Sequence, residues 1–70
     1  MSEVQAVIFD NKKWRTPSAA RWLSAHGYRP IKRVHHTENY LRYRIRDPRK
    51  YGSFRLTKKE GGIRLVLGRV

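Results

Sequence analysis

Seventy residues carrying a net charge of +12 leave room for one domain, with a core too small to be divided. The absence of cysteine excludes disulfide stapling, thiolate catalysis and cysteine-based zinc sites. No apolar run approaches ~18 residues, and no basic segment followed by an apolar stretch opens the chain, so neither a membrane span nor a secretory signal is expected. Of the 17 Lys and Arg, set against 5 Asp and Glu, 11 are Arg, the side chain suited to bidentate phosphate contact. The charge is uneven, because residues 1–10 carry a net −2 and residues 11–70 a net +14. With 39% apolar residues the chain can still build one sheet-and-helix core, and disorder along its whole length is not expected.

Val4 to Phe9 is rich in β-branched and aromatic residues and predicts a core strand, with Val4, Ala6 and Ile8 on one face and Val7 and Phe9 on the other. Asp10 to Lys13 reads as a polar turn. Thr16 followed by Pro17 signals a helix start. Ala19, Trp22, Leu23 and His26 then fall on one helical stripe, and Gly27 is placed to end it. Arg33 to Arg46 is predominantly extended and is broken or looped around Thr37-Glu38-Asn39. Its clearest part, Tyr40 to Arg46, alternates strictly with period 2. Asp47-Pro48 ends this segment in a wide turn that reaches Gly52. Ser53 to Thr57 predicts another strand, with Phe54 and Leu56 inward and Arg55 and Thr57 outward. Lys58 to Gly62 is a hairpin loop, and Ile63 to Leu67 closes the chain. The order is β-α-β-β-β over a single 1–70 domain. The expected class is α+β, with one helix packed on one face of an antiparallel-rich four-stranded sheet.

One short helix covers only one side of such a sheet. Leu41, Tyr43, Ile45, Phe54, Leu56, Ile63, Leu65 and Leu67 are the expected covered set, beneath Trp22 and Leu23. The opposite side is then expected to display Tyr40, Arg42, Arg44, Arg46, Arg55, Thr57, Arg64 and Val66. Five guanidinium groups on adjacent strands repel one another, and a polyanion laid across them would convert that repulsion into attraction with release of counterions. A charged outer face also serves solubility, although solvated faces usually mix Glu with Lys and these outward positions hold no acid.

Two further basic groups flank this face. Lys12, Lys13 and Arg15 surround Trp14 before the helix; that indole suits either stacking on a base or, the preferred reading, a lid on the core. Arg46, Arg49 and Lys50 border the wide turn beside Tyr51. His35 and His36 are adjacent and would point to opposite sides of a strand, so they cannot readily share one ion, and His26 adds only one more nitrogen. The carboxylates Asp10, Glu38, Asp47 and Glu60 lack the paired spacing a metal-dependent nuclease needs. No nucleophile-and-base motif or phosphate-binding glycine loop is present. The reading is therefore of a binder and not an enzyme, without cofactor or metal.

The strings Gln5-Ala6-Val7-Ile8-Phe9, Trp14, Ala19-Ala20, Trp22-Leu23 and His26-Gly27-Tyr28 resemble small domains encoded by tailed bacteriophages and large DNA viruses. Asn39-Tyr40-Leu41-Arg42-Tyr43-Arg44, Asp47-Pro48, Phe54-Arg55 and Gly62 to Gly68 fit the same pattern, so the likeness spans nearly the whole chain. That family has no firmly assigned activity. The resemblance implies a viral origin and a virion or genome-packaging setting, and it carries over no catalytic residue. Together the residues predict an intracellular, virion-associated protein that binds nucleic acid with little sequence preference, duplex DNA before RNA or single strands. The expected contacts are Arg42, Arg44, Arg46, Arg55 and Arg64 with Tyr40, extended by Lys12, Lys13, Arg15, Arg49 and Lys50. The alternative is a module that docks on an acidic capsid, scaffold or protease surface, and under either reading the exposed sheet edges of so small a domain leave room for a homodimer.

Overall fold

The computed structural model describes residues 2–70. Strand β1 (Ser2–Asp10) is followed by helix α1 (Thr16–Ala25), the two-residue strand β2 (His35–His36), β3 (Tyr40–Arg44), a 3-10 turn (Pro48–Lys50), β4 (Ser53–Lys59) and β5 (Ile63–Arg69). The sheet is antiparallel throughout, in the order β2-β3-β1-β5-β4. The α+β class with one helix is as expected, but the sheet has five strands. The extra one is β2, which the break at Thr37–Asn39 separates from β3: Thr37 N donates to Tyr40 O at 2.9 Å and Tyr40 N to Thr37 Oγ1 at 2.9 Å.

The central place of β1 follows from its composition. A strand with neighbours on both edges is the most enclosed in the sheet, and β1 is apolar at Val4, Ala6, Val7, Ile8 and Phe9 and carries no base. Val7 and Phe9 are completely buried and meet Leu41, Tyr43 and Ile45 on one flank, Ile63 and Leu65 on the other, beneath Ala19 and Leu23 of α1. Phe9 is the hub of the aromatic packing, with edge-on contacts to Trp22 (5.7 Å) and Tyr43 (5.5 Å).

A β-bulge at Gln5 changes the face of the residue before it. Val4 pairs with Leu67 and Ala6 with Val66, leaving Gln5 as the extra residue. Val4 thereby joins Val7 and Phe9 on the helix side instead of Ala6 and Ile8 as the alternation predicts. The carbonyl of Gln5 accepts from both Ile45 N (2.8 Å) and Arg46 N (3.1 Å), and its Nε2 donates to Arg46 O at 2.9 Å. The bulge is thus where β3 leaves the sheet.

Helix α1 begins one residue earlier relative to its cap than the sequence predicts, with Arg15 at the N-cap and Pro17 in the first turn. Ser18 Oγ receives Arg15 N at 3.1 Å. The C-terminus closes as a Schellman motif, with Gly27 N donating to Ser24 O and Tyr28 N to Leu23 O, and Gly27 supplies the required φ of +76°. Trp14 is the lid on the core. Its ring lies 5.1 Å from that of Phe9, and its Nε1 donates to Gly61 O at 2.6 Å.

Candidate nucleic-acid interface

The strand register fixes what stands on the face that α1 leaves bare. Across the sheet, His35 pairs with Arg42, Arg42 with Ile8, Ile8 with Arg64 and Arg64 with Lys58. Directly paired residues point to the same side, so these five form one row across all five strands, roughly 19 Å long at ~4.8 Å per strand. Arg42 and Arg64 flank Ile8 about 10 Å apart, beyond the ~8 Å over which physiological salt leaves exposed charges coupled. The neighbouring row runs Arg44, Ala6, Val66, Leu56.

One of the arginines is held in place. Arg64 Nη1 donates to Tyr40 Oη at 3.0 Å, with the guanidinium carbon 5.1 Å from the centre of the Tyr40 ring. Arg42 has its Nε buried with no partner in the protein, so its stem is desolvated and one N–H is unanswered, a costly arrangement for a cationic group. Beside Tyr40 and Arg64, Lys12 helps line an open depression of about 210 Å³ with Asp10, Asn39 and Gly62.

Carboxylates divide the cations into two groups. Among the described residues three ion pairs form: Arg46 Nε to Glu3 at 4.0 Å, Lys50 Nζ to Glu3 at 3.3 Å and Arg49 Nη2 to Asp47 at 3.1 Å. Arg46 is further tied by Nη1 donating to Val4 O at 2.7 Å. Tyr51, only 8% exposed, donates its hydroxyl to Glu3 at 2.9 Å. That hydrogen bond first, and Lys50 next, hold the Glu3 carboxyl below its ordinary range. Arg49 lowers Asp47 in the same way, through its side chain and then its backbone N–H. Burial, then the Glu3 contact, pushes the Tyr51 phenol up.

The expected binding set is therefore sorted by position. Tyr40, Arg42, Arg44 and Arg64 come together on the open face, and Lys12 extends them. Arg46, Arg49 and Lys50 are already answered by Glu3 and Asp47. Lys13 leans on Gly62, while Arg15 lines a shallow site with Trp14, His36 and Leu41 on the helix side.

Arg55 is a correction. It pairs with Leu67, and Thr57 pairs with Leu65, so both stand on the helix side of the sheet. Phe54 and Leu56, expected in the core, are on the open face at 51% and 52% exposure. The cause is the hairpin between β4 and β5: three residues, Glu60 to Gly62, connect Lys59 to its partner Ile63. Because Ile63, Leu65 and Leu67 point inward, an odd-length loop sends Arg55, Thr57 and Lys59 to that side and Phe54, Leu56 and Lys58 to the other. Lys58 and His35 are the basic residues that sequence reasoning missed on this face; loop parity would have found Lys58, whereas His35 depends on the register of β2.

His35 and His36 do point to opposite sides, opposite Arg42 and Leu41 respectively. His26 lies at the end of α1, stacked on Trp22 at 3.8 Å. Among the described residues no group of three or more His, Asp or Glu is placed to hold a metal ion, and no helix is long and apolar enough to cross a membrane. No protein-family model, curated protein or solved structure matches the chain.

Proposed function

We propose that the protein is a non-enzymatic nucleic-acid-binding module that contacts phosphates through its open sheet face with little sequence preference. The observation that carries this reading is the row His35, Arg42, Ile8, Arg64, Lys58, with Arg44 and Lys12 adjoining. Arg42, Arg44, Arg64 and Lys58 have no carboxylate within 4.0 Å among the described residues. A phosphate chain supplies the missing counter-charge and gains from released counterions. Base-specific readout is not part of the proposal, since α1 shows no polar and basic face of the kind that enters a major groove. The resemblance to phage and large-virus domains adds the proposal that this binding operates in a virion or packaging setting.

The experiment is direct. Freshly purified protein is expected to carry nucleic acid, seen as a raised 260/280 nm absorbance ratio that falls after a high-salt wash, and to bind labelled oligonucleotides steeply less well as salt rises. Salt-insensitive or absent binding rejects the reading. A second reading, docking on an acidic protein surface, draws on the unpaired outer edge of β4 with Arg55, Lys58 and Lys59. Stoichiometric association with a purified acidic partner that survives nuclease treatment would favour it.

A further inference from the structure

The basic row occupies only part of the open face. Two residues along each strand, about 7 Å away, the row Ala6, Val66, Leu56 is apolar apart from Arg44 at its far end, and the row beyond it pairs Gly68 with Phe54. Tyr51 fills the space over Gly68, where a Cβ would clash with its ring. Phe54 stands at 70° to that ring, 6.0 Å away. The face is thus divided crosswise: cations stand on one line, and toward the β4 edge the lines beyond it expose Leu56 and Phe54, while Glu3 pairs with Gly68 in the outer line and Asp10 pairs with Tyr40 on the other side of the row.

A duplex answers only the first of these lines. It presents phosphates outward and keeps its bases stacked inside, so Phe54 and Leu56 would meet charged backbone or nothing. A single strand offers phosphate on one side and open base faces on the other. A second copy of the chain is disfavoured by charge. Meeting face to face would oppose the rows of Arg42, Arg64 and Lys58, and joining edges would gather Arg55, Lys58 and Lys59 from both copies.

We infer that the open face takes single-stranded nucleic acid, with the phosphate backbone along Arg42, Arg64 and Lys58 and bases laid on Leu56 and Phe54. This inference rests on the nucleic-acid reading above and departs from the duplex preference expected from the sequence. The strand runs across the β-strands, and the ~19 Å row matches the short end of the site sizes seen on single-strand-binding sheets, about 4 nucleotides.

The test is fluorescence anisotropy with a labelled oligothymidylate and a labelled duplex of equal length, at low and moderate salt. Wild type, Phe54→Ala and Phe54→Trp are compared, each checked by thermal melting and by sedimentation mass. The oligothymidylate is expected to bind at least about tenfold tighter than the duplex. Phe54→Ala is expected to weaken it roughly 5- to 100-fold, the range for losing one stacked base, while duplex binding stays unchanged. Phe54→Trp restores the single-strand affinity. Equal or tighter duplex binding, or an oligothymidylate affinity indifferent to Phe54→Ala, overturns the single-strand inference and leaves the phosphate-binding reading standing. A Phe54→Ala variant that changes the sedimentation mass but not the affinity overturns it in favour of self-association. If neither probe binds at low salt, both readings fall.

Discussion

The proposed nucleic-acid binding has a salt dependence set by the cations of the open face. Lys12, Arg42, Arg44, Lys58 and Arg64 are the five cations grouped there without a carboxylate partner within 4.0 Å among the described residues. If each neutralises one phosphate of a single strand, log K falls with log salt at a slope of about −3.5, from ~0.7 per phosphate. Raising salt from about 50 to about 200 mM then costs roughly 100-fold in affinity. The double variant Arg42→Ser/Arg64→Ser removes two contacts from the centre of the row, so the slope should shrink to about −2 and the same change in salt should cost only roughly 20-fold. Arg55→Ser, on the opposite side of the sheet, should leave the slope unchanged although it too removes a formal charge. Anisotropy titrations at four or five salt concentrations measure all three slopes. A double variant with the wild-type slope, or an Arg55→Ser slope shallower by about half the change seen in the double variant, would show that total charge and not the open face governs binding.

Three other outcomes follow from the packing. Gly68→Ala places a methyl group against the Tyr51 ring and should cost ~1–3 kcal/mol by overpacking, a fall in Tm on the order of 10 °C readable by circular dichroism. Trp14→Phe keeps the ring beside Phe9 but loses the 2.6 Å hydrogen bond to Gly61 O. A loss of about 0.5–1.5 kcal/mol in urea unfolding is expected, and no loss would show that the indole serves only as apolar cover. Glu3 and Asp47 have carboxyl groups lowered in the folded state, so the stability they contribute is fully present above the ordinary carboxylate pKa of ~4 and is lost as pH falls through their lowered values. Melting temperatures should therefore decline on the acid side of about pH 4, and Glu3→Gln should make that decline shallower.

The helix, the core and most of the strands were legible because each rests on local signals that agree. The stripe Ala19, Trp22, Leu23 and the glycine at position 27 define α1 without tertiary information, and Tyr40 to Ile45 alternates cleanly enough to assign Leu41, Tyr43 and Ile45 to the core. Two features broke the alternation. At Gln5 the extra residue of the bulge reverses the face of Val4, and its stabilising partners, Ile45 N, Arg46 N and Arg46 O, lie some forty residues away. At Phe54 and Leu56 the hydrophobic pattern itself misled: in an edge strand beyond the reach of a ten-residue helix, neither face is deeply buried, and apolar side chains gain little from choosing the covered one. The connection to β5 decided the matter. A loop of two or four residues would have turned Phe54 and Leu56 inward, whereas the three residues from Glu60 to Gly62, with both glycines at positive φ, turn them out.

The formal charge of +12 does not by itself describe the surface a partner meets, because the few acids are not distributed at random. Glu3 and Asp47 lie where the chain leaves β3 and makes its turn into β4, and there they take up Arg46, Lys50 and Arg49. The result is structural: Tyr51 is anchored to Glu3, its ring sits on Gly68, and Arg46 closes on Val4 O. These cations secure one end of the sheet. The row from His35 to Lys58 itself holds no acid, with Asp10 in the next line opposite Tyr40, and Arg64 is steadied by a phenol, a partner that fixes the guanidinium without cancelling its charge. On the proposed reading, stability and binding therefore fall to different basic residues. Weakening the turn should lower the melting temperature and leave the salt slope intact, and stripping the row should do the reverse.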